Sequence, residues 1–186
     1  IKILEVGCGA GNNLWFAARE GFNVFGVDAS KIAVDLAVSR LNKDGLSGDI
    51  RVSDATELPF DKSSFDLVID RAALTHMPKQ SIRQSIKEIR RVLKKGGKFH
   101  FNPFGDRCSS AQRDAHDRKD RNGNLTEIVS GCLVDSGMAS VCSKIDVEEF
   151  FRDGWDLFYL TRVEYTDMSQ PNFMIHEEWI AHAEKL

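Results

Sequence analysis

Apolar and polar residues follow one another along the chain in a pattern that predicts alternating strands and helices. Residues 1–6 form an apolar run of strand length with one acidic residue near its end, and a glycine-rich turn follows. Residues 14–20 predict a helix that ends at Gly21, and residues 22–28 predict a second strand that ends in an aspartate. A strand, a helix and a second strand in this order are typical of an α/β protein with a parallel sheet.

The same alternation continues as far as residue 102. Residues 31–44 predict an amphipathic helix, and the apolar face assigned to it consists of Ile32, Leu36, Val38 and Leu41. The elements predicted after it are a third strand over residues 49–53, a fourth strand over 64–70, a long helix over 80–95 that Gly96 and Gly97 cap, and a fifth strand over 98–102.

Residues 105–144 break the pattern. Residues 107–120 are mostly polar and charged, which predicts an exposed or mobile segment, and residues 125–141 are apolar enough for a short helix or a lid. After this excursion, residues 146–153 predict a short helix capped by Asp146. Residues 155–165 and 173–183 then predict two strands that form an antiparallel hairpin.

The turn after the first strand has glycine at every second position, at Gly7, Gly9 and Gly11. Glycine allows a positive φ and lets a ligand approach the backbone. A strand, a tight glycine turn and a helix N-terminus together form a nucleotide-binding edge in open α/β sheets. The dinucleotide-binding pattern is G-x-G-x-x-G, but here the third glycine comes one residue early, and Asn12 stands where that pattern has glycine.

With the acid Glu5, the turn gives E-x-G-x-G-x-G, which closely resembles motif I of the class I S-adenosylmethionine (SAM) dependent methyltransferases. Residues 26–30 are similar to the second motif of that family, and the R-x-L-K-K-G-G run at residues 91–97 also resembles it. The resemblance implies an α/β fold with a doubly wound, mostly parallel seven-stranded sheet and an antiparallel C-terminal strand. It further implies one methyltransferase domain over residues 1–186, a preceding helical segment that is missing here, and a lid over residues 105–144 that determines substrate specificity.

The same resemblance implies that SAM is the cofactor and that no metal is needed. In the family the motif I acid holds the glycine loop and the amino end of the methionine moiety, and an acid after the third strand contacts the adenine. The residues that the resemblance and the fold assign to cofactor binding are Glu5, Gly7, Cys8, Gly9, Gly11, Asn12, Asp28, Ala29, Asp54, Ala55, Asp70 and Arg71.

Several of these assignments have structural alternatives. Asp28 ends the second strand, where a carboxylate faces the ribose of a bound nucleotide; the alternative is a helix cap, a role that suits Ser30 at least as well. Asp54 is either an adenine ligand or a plain turn residue. Asp70 and Arg71 either line the site or form a local ion pair. Cys8 is expected to fill space in the loop rather than act as a nucleophile.

Methyl transfer from SAM is an in-line displacement, in which orientation of the two partners lowers the activation barrier by roughly 7–11 kcal/mol. An alcohol acceptor also needs a general base, and His76, which follows the fourth strand, is the first candidate, with a structural role as its alternative. His100 lies within a predicted strand, and His116 reaches the site only if the polar segment folds over it. The sequence Asn102-Pro103-Phe104 is similar to a signature of amino-methylating nucleic-acid methyltransferases, but it follows the fifth strand instead of the fourth.

Composition bears mainly on the partners. A net charge of −3 gives no signature of polyanion binding, no apolar run reaches membrane-spanning length, and none of the four cysteines lies in a C-x-x-C pair. We therefore expect a cytoplasmic monomer or homodimer that methylates a small molecule and binds neither nucleic acid nor membrane. The alternatives are an RNA or protein methyltransferase, a NAD-dependent oxidoreductase, and a SAM-binding domain without turnover.

Overall fold

The computed structural model describes residues 1–113, 120, 124–126, 128, 130–169 and 174–186. The strands in this part of the chain are β1 Lys2–Val6, β2 Asn23–Asp28, β3 Asp49–Val52, β4 Phe65–Arg71, β5 Leu93–Asn102, β6 Trp155–Asp167 and β7 Met174–Lys185. The helices are α1 Asn12–Arg19, α2 Lys31–Lys43, α3 Lys79–Val92, α4 Ser109–Arg113 and α5 Lys144–Phe150, with a 3₁₀ turn at Leu74–His76.

The strands form one seven-stranded sheet in the order β3-β2-β1-β4-β5-β7-β6. Strands β1 to β5 pair in parallel, and β7 is antiparallel to both of its neighbours, β5 and β6. The predicted fold class is therefore confirmed. The chain runs from β1 to β2 and β3 on one side of β1 and returns to β4 on the other side, so the strand order reverses at β1. Ligands of open α/β sheets bind at such a point.

The main core lies where α3 and α5 pack on the sheet. The apolar side chains of α3 recur at helical spacing, at Ile82, Ile86 and Ile89, and all are buried among strand residues. The ring of Phe101 contacts Phe150 of α5 at a centroid distance of 6.0 Å. A separate apolar cluster, centred on Phe104, Leu125 and Ala139, forms under the long crossover after β5.

The predicted apolar face of α2 was wrong at three of its four positions. Ile32, Leu36 and Val38 are exposed, and the buried face consists of Val34, Ala37 and Leu41. The reason is a close contact with the glycine loop: a Cβ on Gly11 would lie 2.8 Å from the Cβ of Ala37. Only a small residue fits α2 at that position, and Val34 and Leu41, which lie at helical spacing from Ala37, complete the buried face.

The boundary between α3 and β5 also differs from the prediction. The helix ends at Val92, and Leu93 already pairs with Phe65 of β4. The next β4 pair joins Leu67 to Lys98, so residues 94–97 bulge out of the strand, and Gly96 adopts φ 75° there. Gly96 and Gly97 thus belong to a bulge in β5 and do not cap the helix.

The crossover after β5 is more ordered at its start than its polar sequence predicts. Cys108, Ser109 and Ser110 are buried, α4 begins at Ser109, and Leu125 pairs with Ala139 as an isolated antiparallel bridge instead of forming a helix. His116 and Phe173 lie outside the described residues.

The cap of α5 is Ser143 instead of Asp146. The Asp146 N–H donates to the Ser143 hydroxyl at 3.2 Å, and the Asp146 carboxylate accepts the Ser143 N–H at 2.9 Å. This reciprocal pair is a capping box, in which an acid three residues into the helix completes the cap.

Two leucines on α2 provide a matched test of its buried face. We expect Leu41→Ala to lower the free energy of unfolding by about 3 kcal/mol, because the side chain is 1% exposed and its removal leaves a cavity. Leu36→Ala removes the same atoms from a side chain that is 54% exposed, so it should change that free energy by less than about 0.5 kcal/mol. Urea unfolding of both variants measures the difference, and equal losses would contradict the placement of α2.

Candidate active site

The glycine loop after β1 is held between two other segments. Gly7, Gly9 and Gly11 have φ values of 64°, 53° and 74°, a region that other residues rarely adopt. A Cβ on Gly7 would collide with the side chain of Ala73, which follows β4, and Gly11 lies against α2. A Cβ on Gly9 would meet no described atom within 4 Å, so the middle of the loop faces open space.

Asp28, at the end of β2, binds the glycine loop. Its Oδ2 accepts the Gly9 N–H at 2.9 Å, and its Oδ1 accepts the Ser30 N–H at 2.8 Å. Ser30 itself caps α2, since its hydroxyl accepts the Ala33 N–H at 3.3 Å. The cap is therefore Ser30, as the sequence indicated. Each Asp28 oxygen has further acceptor capacity for a ligand hydroxyl.

Glu5 is a buried carboxyl group beneath this loop. It is 3% exposed, and its Oε1 accepts a hydrogen bond from the Asn13 amide at 2.6 Å. Its Oε2 is buried without a hydrogen-bond partner among the described residues. Burial raises the pKa of Glu5 to about 7, with the Asn13 hydrogen bond opposing this and the nearby Asp70 adding to it. An ammonium group close to Oε2 would favour the ionised form.

Asp70, the residue before the end of β4, holds the turn that follows. It is fully buried, and its Oδ1 accepts the N–H groups of Ala73 and Leu74 at 3.0 and 2.9 Å. Burial raises the pKa of Asp70 to about 7 against these hydrogen bonds. The carboxyl group thus positions Ala73 against the glycine loop. The assignment of Asp70 to cofactor binding remains a prediction.

The carboxyl ends of β1, β2 and β3 surround a cleft of about 340 Å³. Of the predicted site residues, those that line it are Gly7, Asp28, Ala29, Asp54, Ala55 and His76. Residues that line it without having been predicted are Val27, Ser53, Ala73, Leu74 and Met77. Val27 lies in the stretch that resembles the second motif, and the other four residues are indicated only by their position next to the predicted acids and His76.

Asp54 lies in a tight turn at the rim of the cleft. Its Oδ1 accepts both the N–H and the hydroxyl of Thr56 at 2.7 Å, and these hydrogen bonds lower the pKa of Asp54. Asp54 therefore stabilises a turn, and its assignment to adenine binding stays a prediction. The turn does not conflict with a contact to a base, because a carboxylate has two oxygens that accept hydrogen bonds.

The other predicted residues lie around the cleft without lining it. Cys8 is buried against Gly26, and burial raises the pKa of its thiol to about 12, which suits a space-filling role in the loop. Asn12 begins α1. Arg71 is exposed and lines a different, mainly apolar cavity of about 570 Å³ on the sheet face beside α1.

His76 lines the cleft at the 3₁₀ turn after β4. Its Nδ1 lies 3.3 Å from the carbonyl oxygen of Met138, and its ring meets Phe104 edge to face at 5.7 Å. Because a carbonyl only accepts, this hydrogen bond places the ring proton on Nδ1 and leaves Nε2 as an acceptor. The geometry is compatible with both a base and a structural group.

Within the described ranges, no group of three or more histidine, cysteine or acidic side chains is arranged to hold a metal ion.

None of the described helices has the length and apolar character needed to cross a membrane.

Comparison with known proteins identifies the family. A family model described as "Methyltransferase domain" matches residues 3–97. A ubiquinone biosynthesis O-methyltransferase of Pelagibacter ubique is 35% identical over 97 residues, which cover 52% of this chain and 39% of the relative. A tRNA N(3)-methylcytidine methyltransferase, Mettl2 of Drosophila melanogaster, is 28% identical over 112 residues, which cover 56% of this chain and 34% of the relative.

Solved structures agree on the fold. A SAM-dependent methyltransferase from Methanosarcina mazei superposes with a TM-score of 0.78 at 24% identity, and the match covers 100% of this chain and 92% of that one. The chain belongs to the class I SAM-dependent methyltransferase family. It spans about two fifths of the length of the curated relatives that it matches.

Glu5 gives the protein an unusual dependence on pH. Between 4.5, the ordinary carboxyl pKa, and about 7, Glu5 is ionised in the unfolded chain but protonated in the folded one. Folding then binds a proton at Glu5, so in the unliganded protein Glu5 by itself should lower the stability by about 3 kcal/mol as the pH rises through this window. Urea unfolding at about pH 5 and about pH 8 measures the loss.

Two glutamine variants separate Glu5 from the other carboxyl groups. Glu5→Gln cannot ionise, so the loss should shrink by about 3 kcal/mol, and what remains comes from groups such as Asp70. Glu57→Gln changes an exposed carboxyl group, so this variant should lose as much stability between the two pH values as the unmodified protein does. An unchanged pH dependence in Glu5→Gln would show that Glu5 is not buried as described.

Proposed function

We propose that this protein transfers a methyl group from SAM to a small-molecule acceptor by in-line displacement. The observation that carries the proposal is the arrangement at the end of β1, where a glycine loop faces open space between Asp28 and the buried Glu5. Family membership supports the cofactor, and the side chains present fit it.

Each part of the cofactor has a matching group on this chain. Asp28, Asp54 and Ala55 line the cleft, which supports the assignment of Asp28 to the ribose hydroxyls and of Asp54 and Ala55 to the adenine. Glu5 offers a buried oxygen without a donor, which suits the ammonium of the methionine moiety. The open side of Gly9 gives the loop backbone access to the ligand.

The cofactor supplies a methyl group that its positive sulfur already activates. The protein's part is to orient the acceptor and to exclude water, which accounts for most of the barrier reduction when the acceptor is a thiol or an amine. For a hydroxyl acceptor, His76 accepts the proton through Nε2, because its Nδ1 is occupied by the Met138 carbonyl.

The overall charge of the chain supports a small acceptor over RNA. The formal net charge is −3. A nucleic acid needs cations along its backbone, and this charge provides no excess of them. We propose that the crossover after β5 determines the acceptor, because Phe104 and Met138 of that segment contact His76.

Calorimetric titration with S-adenosylhomocysteine (SAH), and separately with NAD, tests the cofactor. We expect SAH to bind and NAD not to bind. Asp28→Ala should weaken SAH binding about 100-fold, because hydrogen bonds to a charged group are lost. Asp35→Ala, which removes an exposed carboxylate from α2, should leave the affinity unchanged. Binding of NAD alone would overturn the proposed activity.

An SAH analogue without ribose hydroxyls separates a ribose contact from a general effect on the loop. If Asp28 contacts the ribose, the analogue should bind the unmodified protein and Asp28→Ala with similar affinity. If Asp28 only holds Gly9, the variant should weaken the analogue as much as it weakens SAH.

Once an acceptor is found, His76→Gln tests the base. With a hydroxyl acceptor, kcat should fall about 10²–10⁴-fold while the SAH affinity is unchanged. With a thiol acceptor that ionises by itself, kcat should change little. A parallel loss of SAH affinity would instead assign His76 a structural role.

A further inference from the structure

The crossover after β5 brings two cysteines together that are far apart in the sequence. Cys108 precedes α4, and the Ser109 hydroxyl at the start of that helix accepts the N–H of Cys132 at 3.3 Å. The next hydroxyl, of Ser110, accepts the Leu133 N–H at 2.9 Å. Two consecutive serines thus hold the segment around Cys132 against the segment around Cys108.

The segments around Ser110 and Gly131 pack closely against each other. A Cβ on Gly131 would lie 2.5 Å from the Ser110 hydroxyl, and Ser110 donates to the carbonyl of Ser130 at 2.7 Å. Cys108 is fully buried in the apolar cluster of the crossover, whereas Cys132 is half-buried at its edge. Cys132 is therefore the more exposed of the two cysteines, and Cys108 lies within the cluster that Cys132 packs against.

Both cysteines belong to one apolar cluster, since Cys132 packs against the buried group that contains Cys108. The interaction with Cys108 is the main cause that lowers the pKa of Cys132, and the same interaction raises the pKa of Cys108. Cys132 is therefore the nucleophilic member of the pair, since the thiolate is the reactive form.

We propose that Cys108 and Cys132 form a reversible, peroxide-sensitive dithiol, in which a hydroperoxide oxidises Cys132 and Cys108 then closes a disulfide. This site does not depend on the methyl-transfer proposal, because its chemistry uses neither SAM nor the cleft.

The reaction balances with hydrogen peroxide as the oxidant. The Cys132 thiolate attacks one peroxide oxygen, the O–O bond breaks, and the hydroxide that leaves takes up a proton to become water. Cys132 then carries a sulfenic acid. Cys108 loses its proton and attacks the Cys132 sulfur, the S–O bond breaks, and the departing hydroxide becomes a second water. Two thiols lose two electrons, and one peroxide becomes two waters.

The remaining cysteines lack these features. Cys8 and Cys142 are buried, and burial raises the pKa of both thiols to about 12. Among the described residues, no other cysteine contributes to the shifted pKa of either thiol. At neutral pH both should react with peroxide about tenfold or more slowly than Cys132, which provides an internal comparison.

Peptide mapping of the whole protein after exposure to dilute hydrogen peroxide tests the proposal. We expect the mass to fall by about 2 Da, a linked peptide joining Cys108 to Cys132, and full reversal by a dithiol reductant. Cys108→Ser should stop at the sulfenic acid, which dimedone traps on Cys132. Cys132→Ser should leave Cys108 unmodified, and the control Cys142→Ala should form the linked peptide as the unmodified protein does.

Mapping of the unmodified protein is decisive even if a variant fails to fold. Linkage of other cysteines, or oxidation of Cys132 no faster than that of Cys142, would overturn the proposal. The proposal would also be overturned if dimedone labelled Cys132 in the unmodified protein and no disulfide formed afterwards. Cys108 would then not act as the partner of Cys132.

Discussion

The architecture depends on how closely three backbone segments approach each other at the end of β1. Gly7 lies against Ala73, Gly11 lies against Ala37, and a side chain at either glycine would separate the segments. Two carboxylates hold the approach in place, Asp28 through Gly9 and Asp70 through Ala73. Since the cleft is bounded by the same segments, its shape follows from this packing and from the absence of side chains at the loop glycines.

The site also keeps two acidic groups where water does not reach them. Glu5 and Asp70 each have one oxygen without a described hydrogen-bond partner, and burial raises the pKa of both. Replacing Glu5 and Asp70 with apolar residues would remove the free-energy cost of burying a carboxyl group. The Asn13 side chain and the turn after β4 would then lose their hydrogen-bond acceptors. A cation bound at Glu5 would offset this cost, so the same carboxyl group would weaken the empty fold and strengthen a complex.

Local sequence was sufficient where a single segment determined the outcome. Most strands, the glycine loop and the Ser30 cap followed from apolar runs and glycine spacing, and the mostly parallel seven-stranded sheet followed from a family resemblance. Asp28, Asp54 and His76 do line the cleft. The face of α2 and the start of β5 could not be predicted in this way. Ala37 is buried because Gly11 approaches it, and Leu93 extends because Phe65 pairs with it; both partners are distant in sequence.

The strand order has a consequence for how the chain folds as it is synthesised. Strand β6 precedes β7, yet β7 lies between β5 and β6, and β6 pairs with no other described strand. A newly made β6 therefore exposes its polar backbone until β7 emerges from the ribosome and joins both neighbours at once. During that interval β5 is the open edge of the sheet and β6 is unpaired, and open edges are the kind of surface that chaperones shield and through which partly folded chains aggregate.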